Sequence, residues 1–302
     1  MIDFKVKRAE DCVLIDTKGW ITDGTGISKH RMSGRIIPTF INKALDVYPV
    51  TRGLKSIVNN GDTILISRIA SDISQYRKFG VREGDERYYH CPIMQVLGIF
   101  ENEEISLSSL KMCTDKVLIE KIDMTSKGII LPETNTMIGK VVKVGTHKFD
   151  KDWNILPLCS KVGDTVLVRD NVSTEIYLKE GKYYATEDSM IVGIFENEKF
   201  DLNHLNVCND YVIMNPYIPE FLNSMLVTPT LDFENEDISE IYNRDLFKVL
   251  KVDKKVDRVL ENDILLIDRN LTNYVYLGLE KYYVLNGIDN ISSKIIKGEK
   301  ND

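Results

Sequence analysis

The side chains most able to do chemistry are spread through this chain without a catalytic pattern. Its four histidines stand at positions 30, 90, 147 and 204, with no HExxH and no metal-ligand spacing among them. His90 adjoins Cys91, a pairing that can activate a thiol, but two tyrosines precede it and a buried edge pair is the better reading. The five cysteines, Cys12, Cys91, Cys113, Cys159 and Cys208, form no CxxC, and their odd number argues against a complete disulfide framework. Among the carboxylates only Asp62, Asp164 and Asp263 recur at a fixed motif position. Each sits at the turn that enters a strand, where aspartate commonly hydrogen-bonds its local backbone. The nearest glycine cluster, Gly24-Thr25-Gly26, lacks the third glycine and the helix of a dinucleotide site. The expectation is a protein with no catalytic residues, no metal and no cofactor.

What the chain does repeat is a scaffold. The hexapeptide GIFENE at 98–103 returns at 193–198, and the register continues beyond it. Leu107, Leu110, Cys113 and Asp115 correspond to Leu202, Leu205, Cys208 and Asp210. GDTILISR at 61–68 matches GDTVLVRD at 163–170 and NDILLIDR at 262–269. A tyrosine pair follows in each unit, at Tyr88–Tyr89, Tyr183–Tyr184 and Tyr282–Tyr283. Each unit opens with a short apolar strand just after an aspartate, at 13–15, 117–119 and 212–214. Such self-similarity marks a duplicated structural unit. Three divergent copies are expected, over 1–104, 105–199 and 200–302, each of about 100 residues and so of ordinary domain size.

Composition bounds the partners. The apolar fraction of 43% suffices for packed cores, and a formal charge of −7 argues against a general nucleic-acid binder. Basic clusters at 29–35 and 248–258 read as solvated loop or edge charges, which also discourage unwanted strand pairing. The first residues, MIDFKVKRAED, hold no apolar core for a signal peptide. No apolar run approaches the length of a membrane span. Cys113 and Cys208, at equivalent positions, suggest a small buried residue at the start of a strand. A reducing cytoplasm is the expected setting.

The middle copy gives the unit its outline. Residues 116–121 form a short apolar strand, 128–132 a second apolar run, and 139–145 an alternating strand between glycines. A long loop over 146–160 precedes GDTVLVRDN, a turn followed by a buried strand. A hairpin around Glu180 and Gly181 and a closing strand at 190–195 complete it. Many short strands with little helical periodicity predict an all-β fold, and closure into small barrels removes exposed edges. Between copies, leucines three apart at 106–112 and 201–207 fit either a helical turn or an extended linker. Neighbouring strand residues face opposite sides, so one tyrosine of each pair enters a core and the other faces out, free to pack locally or anchor a neighbouring barrel.

This order of motifs resembles the GroES-type co-chaperonin family, the lids of group I chaperonins. The residues are Asp115-Lys116-Val117, Gly128-Ile129-Ile130-Leu131, the run from Gly139 to Gly145, Pro157-Leu158, Lys161-Val162-Gly163-Asp164, and Ser189-Met190-Ile191-Val192. The resemblance covers 110–196 and implies three tandem GroES-like β-barrels, the outer two more divergent. Zinc-dependent alcohol dehydrogenases contain a related barrel but need a dinucleotide domain that is missing here.

The resemblance also implies a binding role. In the family a flexible loop carries an apolar tip that fills a groove on the chaperonin, and several weak loops on one ring act together. Ile129, Ile130 and Leu131 are the expected tip in the middle copy, with Ile36 and Ile37 in the first and Met225, Leu226 and Val227 in the third. Under the alternative, 129–131 is an ordinary barrel strand. The partner is then either a group I chaperonin or neighbouring subunits of an assembly, with homo-oligomerisation expected and neither membrane nor nucleic acid involved. In the first case the chain assists protein folding in the cytoplasm. In the second it is a structural subunit of a phage virion or similar assembly that reuses the barrels.

Overall fold

The computed structural model describes residues 12–16, 33–36, 62–66, 81–83, 86–92, 96–101, 105–123, 136–150, 154–169, 173–217, 244–287 and 293–295. The chain is all-β. Its first strands are β1 (Cys12–Asp16), β2 (Ser33–Ile36), β3 (Thr63–Ile66), β4 (Val81–Glu83), β5 (Glu86–Pro92), β6 (Val96–Phe100) and β7 (Leu110–Met112). Then come β8 (Lys116–Lys121), β9 (Met137–Val144), β10 (Lys148–Phe149), β11 (Ile155–Leu156), β12 (Thr165–Val168), β13 (Thr174–Leu178), β14 (Gly181–Glu187), β15 (Ile191–Phe195) and β16 (Leu205–Val207). The last are β17 (Tyr211–Pro216), β18 (Arg244–Val252), β19 (Ile264–Asp268), β20 (Asn273–Leu277), β21 (Glu280–Asn286) and β22 (Ser293–Ile295). Among the described residues no helix is long and apolar enough to cross a membrane.

Three larger sheets share one strand order. Sheet 1 runs β4-β5-β1-β2-β3-β6-β7, sheet 2 β13-β14-β8-β9-β12-β15-β16, and sheet 3 β20-β21-β17-β18-β19-β22. Their register agrees as well. The second tyrosine of each pair lies opposite the opening strand, Tyr89 against Ile15, Tyr184 against Ile119 and Tyr283 against Met214. Each GDT-type strand meets its closing strand with Leu65 against Gly98, Leu167 against Gly193 and Leu266 against Ser293.

That register corrects one expectation. Ile36 lies in β2, paired with Ile15 as Val249 is paired with Met214. It therefore occupies a central strand, not the tip of a loop. Glycine followed by an apolar run describes a buried strand as well as a loop tip, and local sequence does not separate them. The strand expected at 43–47 lies outside the described residues.

Alternation along the strands sends apolar side chains to two faces. In sheet 3 Val212, Met214, Phe247, Val249, Leu265, Ile267 and Leu285 pack together inside the curled sheet. The intervening Tyr211, Ile213 and Val284 pack on the other face with residues of β12, β15 and β16. The chain divides into two units, one of 1–121, 140–163 and 173–188, the other of 122–139, 164–172 and 189–302. All five crossings between the units fall inside the expected second copy, because the apolar clusters join strands across the boundaries read from sequence.

Candidate functional site

The loop singled out in the sequence leaves sheet 2 after β8 and returns at β9. Its base is fixed: the Ile122 N–H donates to the Ile138 carbonyl at 2.9 Å. On the return side Thr136, Met137 and Ile138 are buried. Thr136 Oγ1 accepts from the Tyr276 N–H at 3.2 Å, and Ile138 packs with Val275 and Leu277. Ile129, Ile130 and Leu131 thus fall between two anchored ends. These three lie outside the described residues, as do Ile37 and, between β17 and β18, Met225, Leu226 and Val227.

Within each unit an apolar seam joins parts of two sheets. The first gathers Leu65, Leu97, Phe100 and Leu110 of sheet 1 with Leu118, Ile176, Leu178, Tyr183 and Ala185 of sheet 2. The second gathers Leu167, Val192, Phe195 and Leu205 of sheet 2 with Ile213, Val275, Leu277, Tyr282 and Val284 of sheet 3. Position for position these are the same seam built twice. The first tyrosine of each pair, Tyr183 or Tyr282, fills it. The second remains half-buried, with Lys182 over the Tyr184 ring at 5.2 Å and Lys281 over the Tyr283 ring at 5.0 Å.

Polar contacts repeat with equal fidelity. The Cys113 N–H donates to Leu97 O at 2.9 Å and the Cys208 N–H to Val192 O at 3.0 Å. The Glu101 and Glu196 amides donate to Ser109 O and His204 O, both at 2.8 Å. Lys143 Nζ reaches Ser108 O at 3.3 Å, and Lys251 Nζ reaches Asn203 O at 2.9 Å and Leu205 O at 3.1 Å. The lysines were legible in principle, since both stand in a KVxKV stretch at equivalent positions. The connector satisfies both readings of its sequence: a turn at Leu107–Ser109 or a 3₁₀ turn at Leu202–His204, then a strand. Cys113 is fully buried, and that burial pushes its thiol up to about 12.

The long loop of the middle copy folds as the hairpin β10–β11, with Lys148 opposite Leu156 and Phe149 opposite Ile155. Ile155 is 69% exposed at its tip. Asp188, with no exposed surface, ties both arms down. Its carboxylate accepts from Lys148 Nζ at 3.0 Å, the Cys159 N–H at 3.0 Å, the Ser160 N–H at 3.2 Å and Ser160 Oγ at 2.9 Å. Burial alone would raise its pKa, but the Cys159 amide, Lys148 and Ser160 outweigh it and hold the carboxyl below its usual range. Nothing in the sequence marked Asp188, because the aligned place in sheet 3 is Gly287. At the start of β8 the Lys116 ammonium is nearly buried against Glu187 Oε1 at 2.8 Å and Asp115 Oδ1 at 3.0 Å. Burial pulls its pKa down, yet Asp115 and Glu187 together leave it raised.

Known proteins match this part of the chain. The family model for the chaperonin 10 kDa subunit covers residues 109–195. The mitochondrial 10 kDa chaperonin of Arabidopsis thaliana is 32% identical over 89 residues, 28% of this chain and 91% of the relative. Co-chaperonin GroES of Desulforapulum autotrophicum is 32% identical over 94 residues, 29% of this chain and 99% of the relative. Co-chaperonin GroES of Ehrlichia chaffeensis is 38% identical over 89 residues, 28% of this chain and 95% of the relative. With relatives at least 32% identical matched over 91–99% of their own length, the all-β chain belongs to the GroES-type chaperonin 10 kDa family.

Proposed function

We propose that the chain is a non-enzymatic co-chaperonin of three tandem barrels, 1–104, 105–199 and 200–302, that docks apolar loop tips on a group I chaperonin and assists protein folding in the cytoplasm. Ile129, Ile130 and Leu131 form the principal tip, and Met225, Leu226 and Val227 a second. The observation that carries the reading is the loop base: Ile122 and Ile138 close it, and Thr136 is tied to β20. Ordering a flexible tip on its groove costs entropy, so one loop binds weakly. Holding two or more on one chain raises their effective concentration. The experiment is ATP-dependent co-sedimentation with a group I chaperonin, comparing wild type with Ile130→Asp. A nucleotide-dependent complex lost in the variant supports the docking. Absence of any complex, with the native host's chaperonin included, turns the reading toward a structural subunit of a virion-like assembly.

A further inference from the structure

The hairpin β20–β21 reaches a different partner from its counterpart in sheet 2. There the turn between β13 and β14 brings Glu180 Oε1 to the Leu107 N–H at 2.9 Å, which caps the connector ahead of β7. The aligned residue in sheet 3 is Leu279, exposed and with no acceptor in its side chain. Sheet 3 makes its contact along the strand instead. Leu277 and Glu280 close a two-residue turn, so the alternation of an antiparallel pair turns the Tyr276 N–H away from β21. β20 stands at the end of the sheet order, and an N–H facing outward there needs an acceptor. The buried Thr136 supplies it, with Oγ1 at 3.2 Å. Apolar contacts agree: Ile138 shares a cluster with Val275, Leu277 and Val284, and Ile122 packs against the same cluster. Residues 122–139 accordingly fall in the unit that holds sheet 3, although β8 just before them does not.

We infer that sheet 3 holds the root of the loop between β8 and β9, with Thr136 as its positioning residue. The two ends of the loop, joined through the Ile122 N–H and Ile138 O at 2.9 Å, rest together on β20. β20 lies outside residues 109–195, the part matched to the 10 kDa chaperonins, so the hold comes from the rest of the chain. Its functional consequence rests on the docking reading. Each root residue ordered in advance is one that docking does not have to order, and fixing one residue's backbone is worth about tenfold in affinity. The coupling is reciprocal: a tip captured in its groove steadies β20 as β20 steadies the root. Sheet 3 thereby contributes to docking through a loop that belongs to sheet 2.

The test is amide exchange of the full-length protein, read at Tyr276 and Ile122 in wild type, Thr136→Val and Thr136→Ser. Thr136→Val keeps a branched side chain and deletes the acceptor. Exchange at Tyr276 is expected to rise about fivefold, the scale of one lost hydrogen bond, and at Ile122 about twofold or more. Thr136→Ser restores the hydroxyl and is expected to return both amides to wild-type rates. In ATP-dependent co-sedimentation with a group I chaperonin, Thr136→Val is expected to bind about tenfold more weakly and Thr136→Ser as wild type does. Far-UV circular dichroism checks folding, and Thr136→Ala serves as the deletion if Thr136→Val does not fold. Unchanged exchange at both amides overturns the inference. So does a rise at Tyr276 alone, which would make Thr136 a cap for the edge strand and nothing more. Raised exchange at both with undiminished docking overturns the positioning role. A wild type that forms no complex defeats the docking reading instead, and the hold on the root is then decided by the exchange rates alone.

Discussion

Replacing Asp188 by alanine is expected to release the hairpin β10–β11 while leaving the seams intact. The carboxylate is fully buried and accepts from two backbone amides, one hydroxyl, one thiol and one ammonium. Hydrogen bonds to a charged group contribute about 1.5–3 kcal/mol each, and they do not add. Breaking a buried ion pair costs about 3–5 kcal/mol, which sets the expected loss. Asp188→Asn keeps an acceptor oxygen and should lose roughly 1–2 kcal/mol, close to one hydrogen bond plus part of the charge. The pH dependence follows from the depressed carboxyl. A group whose folded pKa lies below its unfolded value of about 3.9 stabilises fully above that value. Its contribution falls away as pH drops through the folded pKa, so wild type and Asp188→Asn should converge in strong acid. Because the chain holds more than one unit, the assay is local: amide exchange of residues 148–160 as a function of pH. Exchange there that is unchanged in Asp188→Ala, or a wild-type acid response retained by Asp188→Asn, would refute the reasoning.

Gly193→Ala should destabilise the second unit by about 1–3 kcal/mol, since the new Cβ meets Asn206 O and Leu205 Cδ1 below 3 Å; a stabilised variant in urea titration would mean β16 yields freely. Cys113 should resist a thiol reagent at pH 8 in the native protein and react on unfolding, because burial keeps it protonated; fast native labelling would contradict the packing of the first seam. Tyr282→Ala should cost about 3–5 kcal/mol of the second unit's stability, as for a large aromatic removed from a core. A loss below about 1 kcal/mol would show that the seam is not packed as a core.

The strands were the legible part of the fold. Recurring GDT-type turns, tyrosine pairs and glycine-bounded runs placed most strands of the middle unit, and Asp263 does bond local backbone, accepting the Leu260 N–H at 2.7 Å. A hairpin turn lies where expected, with Leu178 paired to Gly181. What resisted reading depends on partners distant in sequence. Ile36 carried a loop-tip signature but pairs with Ile15 across a long connector. The first tyrosine of each pair was seen to alternate, yet only the cluster around Tyr183 reveals that its core is shared between two sheets. Asp188 occurs once, so no repeat pointed to it, and the value of GIFENE's glycine emerges only when a strand is laid across it.

The shared seams also shape how the polypeptide must acquire its structure during synthesis. Leu65, Leu97 and Phe100 have Leu118 as their one buried seam partner on sheet 2 until Ile176, Leu178, Tyr183 and Ala185 have been made. At translation rates of ~5–20 residues per second, the stretch from Phe100 to Ala185 takes roughly 4–17 s. For that interval the growing chain presents a greasy face with most of its natural cover still unwritten, and a second such face opens when β12 and β15 emerge ahead of β20 and β21. The nascent chain is itself a substrate for holding factors, and slowing translation within 100–185 should cost yield more than slowing it after residue 285.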